Sequence, residues 1–84
     1  MNKLKENDRK LPGINIARRR RERGMTQQEF AQVIGISRSH LAAIETGRKL
    51  PSLDLLFQIA RVLEVTPDRL FEIRLQHTKE GNGQ

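Results

Sequence analysis

Eighty-four residues and 9.7 kDa suffice for one small domain, and 36% hydrophobic with 31% charged residues lies within the globular range. The absence of Cys, Trp and Tyr, with only three Phe, excludes a disulfide scaffold and a thiolate metal site and argues against an aromatic platform for single strands. The net charge of +6 lies wholly at one end: the first 25 residues carry nine Lys and Arg against three acids, while the other 59 are balanced.

A localised positive field suits a polyanionic partner, although a solvated surface that keeps a small protein soluble gives the same count. No run nears the ~18 apolar residues of a membrane span, and no apolar signal segment opens the chain, so a cytoplasmic protein is expected. Residues 1–13 lack an apolar period and end in the turn pair Pro12-Gly13, which predicts a flexible basic arm. Helix 1 is expected from Ile14 to Arg23, stopped by Gly24 behind a cationic last turn. Thr26 and Glu29 form a capping box, and Phe30, Ala31, Val33 and Ile34 give helix 2 a short apolar face that ends at Gly35. Ser37 caps helix 3, expected from Arg38 to about Thr46 and closed by Gly47. Ser52 caps helix 4 (about 53–64), with Leu53, Leu56, Ile59, Ala60 and Leu63 at core spacing. Thr66 as cap and Pro67 at the first position predict a fifth helix to about Leu75, with Leu70, Phe71 and Ile73. The expected organisation is an all-α five-helix domain over 14–75 and a flexible polar tail over 76–84.

Helices 2 and 3, joined through Gly35-Ile36-Ser37, make a helix-turn-helix unit over about 26–46. Gly35 can take the positive φ of the turn, and Ala31 is small enough to admit the crossing helix. At about 100° per residue, Arg38, Ala42, Thr46, Ser39 and Ala43 share one side of helix 3, opposite Leu41 and Ile44. Two alanines on an open face let a helix backbone sit deep in a groove about 12 Å wide. Arg38 suits guanine O6 and N7, Ser39 can donate or accept, and Ala42 can meet a thymine methyl.

The segment from Ile16 through Phe71, carried by RERGMTQQEFAQVIGISRSHLAAIETGRKLPS and LDLLFQIARVLEVTPDRLF, resembles the lambda-repressor-like helix-turn-helix domain of Cro and Xre-type bacterial and phage regulators. The resemblance implies a five-helix fold, double-stranded operator DNA as ligand, and helix 3 in the major groove. It implies that Gln27 grips a phosphate, that Gln28 lies near base or backbone, and that Arg38, Ser39, Ala42 and Ala43 fall on base-reading positions. Thr46, Arg48 and Lys49 fall in the loop that follows the backbone. Arg20 and Glu45 match an ion pair between helices 1 and 3, for which a structural role is expected. The chain departs from the pattern at Arg19, where an apolar residue is usual and Arg stems would pack instead, and at Phe30 in place of Leu. Leu55 and Val62 depart as well, and they form either a dimer patch or an incidental apolar surface.

Of the Arg18–Arg21 run, Arg20 is expected to turn inward and Arg18 or Arg21 toward solvent or the DNA backbone. The arm with Lys3, Lys5, Arg9 and Lys10 fits either a duplex-wrapping segment or an ordinary terminus. His40, at the edge of helix 3, fits a phosphate contact or a partly buried polar site. His40 and His77 are too far apart, without Cys, to suggest a metal site, and no cofactor is expected. No convergent acid–base pair or phosphate-cradling loop suggests an enzyme. The expected function is a sequence-specific transcriptional regulator, a repressor that binds a palindromic operator as a homodimer. The alternatives are an antitoxin or controller protein acting with a partner protein, and a protein-interaction module of the same fold.

Overall fold

Local caps set several of the helix boundaries in the computed structural model, which describes residues 10–73. Lys3, Lys5 and Arg9 of the expected arm, the expected helix end at Leu75, and the 76–84 tail with His77 lie outside the described residues. The order is α1 (Gly13–Glu22), α2 (Gln27–Ile34), α3 (Arg38–Glu45), α4 (Leu53–Leu63) and a 3-10 helix (Pro67–Phe71).

At α1 the structure departs from the expected arm boundary. The helix opens at Gly13 rather than Ile14, and Pro12 is fully buried. Gly13 lies so close to the end of α3 that a Cβ there would overlap the Ile44 carbonyl oxygen. Pro12 and Gly13 therefore belong to the packed domain. At the far end Gly24 takes φ +73°, the left-handed conformation that stops a helix.

Thr26 Oγ1 accepts from the Glu29 N–H at 3.0 Å and Glu29 Oε1 accepts from the Thr26 N–H at 2.9 Å, so both halves of the capping box are present. Gly35 (φ +80°) ends α2, and three residues later α3 is running, with Ser37 Oγ accepting from the His40 N–H at 3.0 Å. Ser52 caps α4 in the same way through the Leu55 N–H at 3.1 Å. Helix α4 ends at Glu64, a left-handed residue (φ 60°) with a Cβ. Arg23 holds it there, donating to the Leu63 carbonyl at 3.1 Å and to Glu64 Oε1 at 3.0 Å, a cation at a helix C-terminus.

The fifth element is a 3-10 helix and not an α-helix. The Asn15 amide, buried in α1, donates to the Leu70 carbonyl at 2.9 Å and the Glu72 carbonyl at 2.8 Å. These bonds tie the end of the element to α1, and Glu72 is already extended (ψ 140°), so no α-helix runs on through it. Thr66 makes no side-chain cap here. Its hydroxyl instead lies beside Asp68 and holds that exposed carboxyl below the usual carboxylate range.

Phe30 and Ile34 of α2, Leu41 and Ile44 of α3, Ile59 of α4 and Leu70 meet Ile16 of α1 in one core. Each such fully buried side chain contributes about 1.5–3 kcal/mol. Four expected core residues are exposed instead: Val33, Leu53, Phe71 and Ile73. Val33 lies about 110° from the mean direction of Phe30, Ala31 and Ile34, Leu53 flanks the core stripe, and helical periodicity no longer applies at Phe71 and Ile73. Arg19 packs its stem at the domain edge and pairs with Glu72 at 3.6 Å, with its Nε buried and unpartnered.

Candidate nucleic-acid interface

Helix α3 has two unlike sides. Leu41 and Ile44 are fully buried, while Arg38, Ser39 and Thr46 are exposed and Ala42 and Ala43 half-buried. The open side thus carries one long cation at its start and short side chains behind it. Ser39 Oγ lies 3.4 Å from Ser37 Oγ, and exposed Gln28 stands on the first turn of α2.

A chain of hydrogen bonds runs from the core to this surface. Arg20 meets Glu45 in a two-pronged pair, Nε to Oε2 at 2.7 Å and Nη2 to Oε1 at 3.1 Å, and Arg20 Nη1 donates to the Met25 carbonyl at 2.6 Å. Their side chains are 8% and 4% exposed, so this charge pair is nearly dry. Gln27 Nε2 donates to Glu45 Oε1 at 2.9 Å, and its Oε1 accepts from Arg38 Nη1 at 3.2 Å. One amide proton of Gln27 is left for a further acceptor. Arg38 is therefore held at the start of α3 by a glutamine that is itself anchored on a buried carboxylate.

The loop after α3 is folded back on the helix end. The Ala43 carbonyl accepts from the Arg48 and Lys49 N–H groups at 2.9 and 3.1 Å. Thr46 Oγ1 donates to the Ala42 carbonyl at 2.9 Å and accepts from Arg48 Nε at 3.3 Å. Arg48 and Lys49 are exposed, and their side chains leave a fixed backbone. Gly47 (φ +84°) is crossed by Lys10, whose Cα, Cβ and Cγ lie 2.8–3.0 Å from where a Gly47 Cβ would stand. A third base thus stands beside the loop.

Not every expected residue reaches this surface. Arg18 donates to Asn15 Oδ1 at 3.0 Å and pairs with Glu22 at 3.5 Å. It lies about 150° around α1 from the Gly13–Arg20 side that meets α3. His40 is half-buried on the flank of α3. Leu55 and Val62 are half-buried and packed against the core. Sequence reasoning missed the Gln27 bridge and the Lys10–Gly47 crossing. A glutamine at the first position of α2 and an arginine at the first of α3 were the available signal for the bridge; the crossing had none.

Among the described residues no group of three or more His, Asp or Glu could hold a metal ion, and no helix is long and apolar enough to cross a membrane. The family model described as helix-turn-helix (HTH_3) matches residues 16–70. An uncharacterized HTH-type transcriptional regulator, y4dJ of Sinorhizobium fredii, is 43% identical over 58 residues, 69% of this chain and 75% of that protein. The ImmF control region 10 kDa protein of Bacillus phage phi105 is 36% identical over 74 residues, 88% of this chain and 82% of its own. Among solved structures, the master regulator for biofilm formation SinR in complex with DNA superposes with a TM-score of 0.68 at 30% identity, covering 74% of this chain and 100% of that one.

Proposed function

Because the chain belongs to the HTH_3 helix-turn-helix family and is a DNA-binding transcriptional regulator, we propose that it reads operator DNA by laying the open side of α3 in the major groove. The observation that carries this reading is the Glu45–Gln27–Arg38 chain of hydrogen bonds, which aims the only long cation on that side. Arg38 makes the bidentate contact to a guanine, and Ser39, Ala42 and Ala43 line the neighbouring base edges, with Gln28 beside them. The remaining amide proton of Gln27 grips a phosphate, and Thr46, Arg48 and Lys49 follow the backbone beyond α3. His40 borders that track, and Arg18 contributes to the field rather than to a contact. The protein acts in the cytoplasm as a repressor, not an enzyme, and as a dimer on a palindromic site whose half-sites lie about one helical turn apart.

Selection from a randomised duplex library at two salt concentrations tests this reading. The expected result is an enriched palindrome and an affinity that falls steeply with salt. Binding with no enriched motif would overturn it in favour of an interaction module. Arg38→Ala costs about 1–3 kcal/mol on the preferred site and relaxes one base pair, seen by repeating the selection with the variant. Gln27→Ala weakens binding to all duplexes through the lost phosphate contact and also lowers the preference for the best site, because Arg38 loses the side chain that aims it. In competition titrations, a loss confined to the preferred site would instead assign Gln27 wholly to holding Arg38.

A further inference from the structure

The fold leaves one face of α4 bare. At about 100° per residue Leu53, Phe57, Arg61 and Asp54 fall within an arc of about 100°, and all four are exposed, Leu53 at 65% and Phe57 at 45%. Leu56, Ile59, Ala60 and Leu63 face the core from the other side. Leu50, three residues before Leu53, is also 74% exposed, in the segment between this helix and the loop that carries Arg48 and Lys49. Large apolar side chains one helical turn apart, rimmed by charge, have the make-up of an interface core and its rim.

The charges select the occupant. Asp54 and Arg61 have opposite sign and stand seven residues apart along one face, and among the described residues neither side chain has a hydrogen-bond or ion-pair partner. We propose that this face binds a second copy of the chain, with the two α4 helices antiparallel about a two-fold axis that passes between Phe57 and Gln58. That axis sets Asp54 of each copy opposite Arg61 of the partner subunit, brings the two Phe57 rings together at the centre, and places Leu53 beside them. A two-fold interface needs a patch that is complementary to itself, and a helix acidic near its start and basic near its end is complementary to itself when reversed. The inference rests on the dimeric reading above and replaces Leu55 and Val62 as its contact. Because the face is continuous in the chain with the loop after α3, pairing would also extend the basic surface from one subunit to the next.

Sedimentation equilibrium on the full chain tests this pairing. Wild type is expected to show a monomer–dimer equilibrium, and Asp54→Arg or Arg61→Asp alone to weaken it at least about tenfold by setting like charges opposite each other. The double variant D54R/R61D restores opposite charges across the axis and returns the constant to within about threefold of wild type. Phe57→Glu, with its helical circular dichroism intact, is expected to remain monomeric. A wild-type chain that stays monomeric at about 0.5 mM overturns the proposal, whether the face is bare or taken by another protein. Failure of the double exchange to restore a dimer that both single exchanges weaken overturns it too. Binding of the same variants to a duplex with a single half-site reports on DNA reading separately; loss there by the wild type would sink that reading and leave the self-association result standing.

Discussion

Replacing Glu45 by alanine lowers the stability of the fold by about 3–5 kcal/mol, read as a shift in the urea midpoint at unchanged slope. The carboxylate answers two Arg20 donors and the Gln27 amide, and its side chain is 4% exposed. Without it the Arg20 guanidinium keeps its charge in a nearly dry site, and that stranded cation is the source of the loss. A domain of this size has on the order of 5–8 kcal/mol to lose, so the substitution would remove about half or more of its stability. Arg20→Met together with Glu45→Leu removes both charges and recovers most of the stability. The double variant also separates two roles: it folds, but Gln27 has lost its anchor, so Arg38 reads its base less selectively. A double variant as unstable as Glu45→Ala would show that packing, and not the stranded charge, sets the effect.

Gly13→Ala is expected to destabilise by about 3 kcal/mol, near the top of the range for overpacking, although alanine has the higher helix propensity. The added methyl would overlap the Ile44 carbonyl oxygen and come within 3.0 Å of the Glu45 carbonyl carbon, and backbone cannot swing aside as a side chain can. Relief requires α1 and the end of α3 to part, which also moves Glu45 and the loop carrying Arg48 and Lys49. Thermal melts read the stability loss, and DNA titration of the fraction still folded reads the displaced loop. An unchanged melting temperature would mean that the two helices slide apart at little cost.

Much of this fold can be read in the chain because its punctuation is local. Thr26 with Glu29, Ser37 and Ser52 each act within three residues, and so does Gly35, so α2, α3 and the start of α4 need no tertiary information. What escaped a sequence reading depends on partners far along the chain. In place of the α-helix expected after Pro67 stands a 3-10 helix whose end is held by Asn15, more than fifty residues earlier. Pro12 and Gly13 look like a turn at the edge of an arm until α3 is seen against them. The apolar residues of α4 are evident, but which of them stay exposed depends on where the core lies around the helix. That direction moved the bare face from Leu55 and Val62 to Leu53 and Phe57. At the DNA-facing side, the identity of Arg38 and the small residues behind it was legible, whereas the glutamine that aims the arginine appeared only in three dimensions.

The crossing of Lys10 over Gly47 also bears on the order of events in folding. Local capping lets α2 and α3 form early, but the loop after α3 is backed by a chain segment more than thirty residues away. Closing so long a stretch is entropically slow beside helix formation, so the N-terminal segment is expected to dock among the last steps. An intermediate with α2 and α3 in place would then carry the reading helix while the adjoining loop was still loose. Such a species could scan DNA without holding it, and the grip would tighten only when the last segment of the fold closed behind the loop.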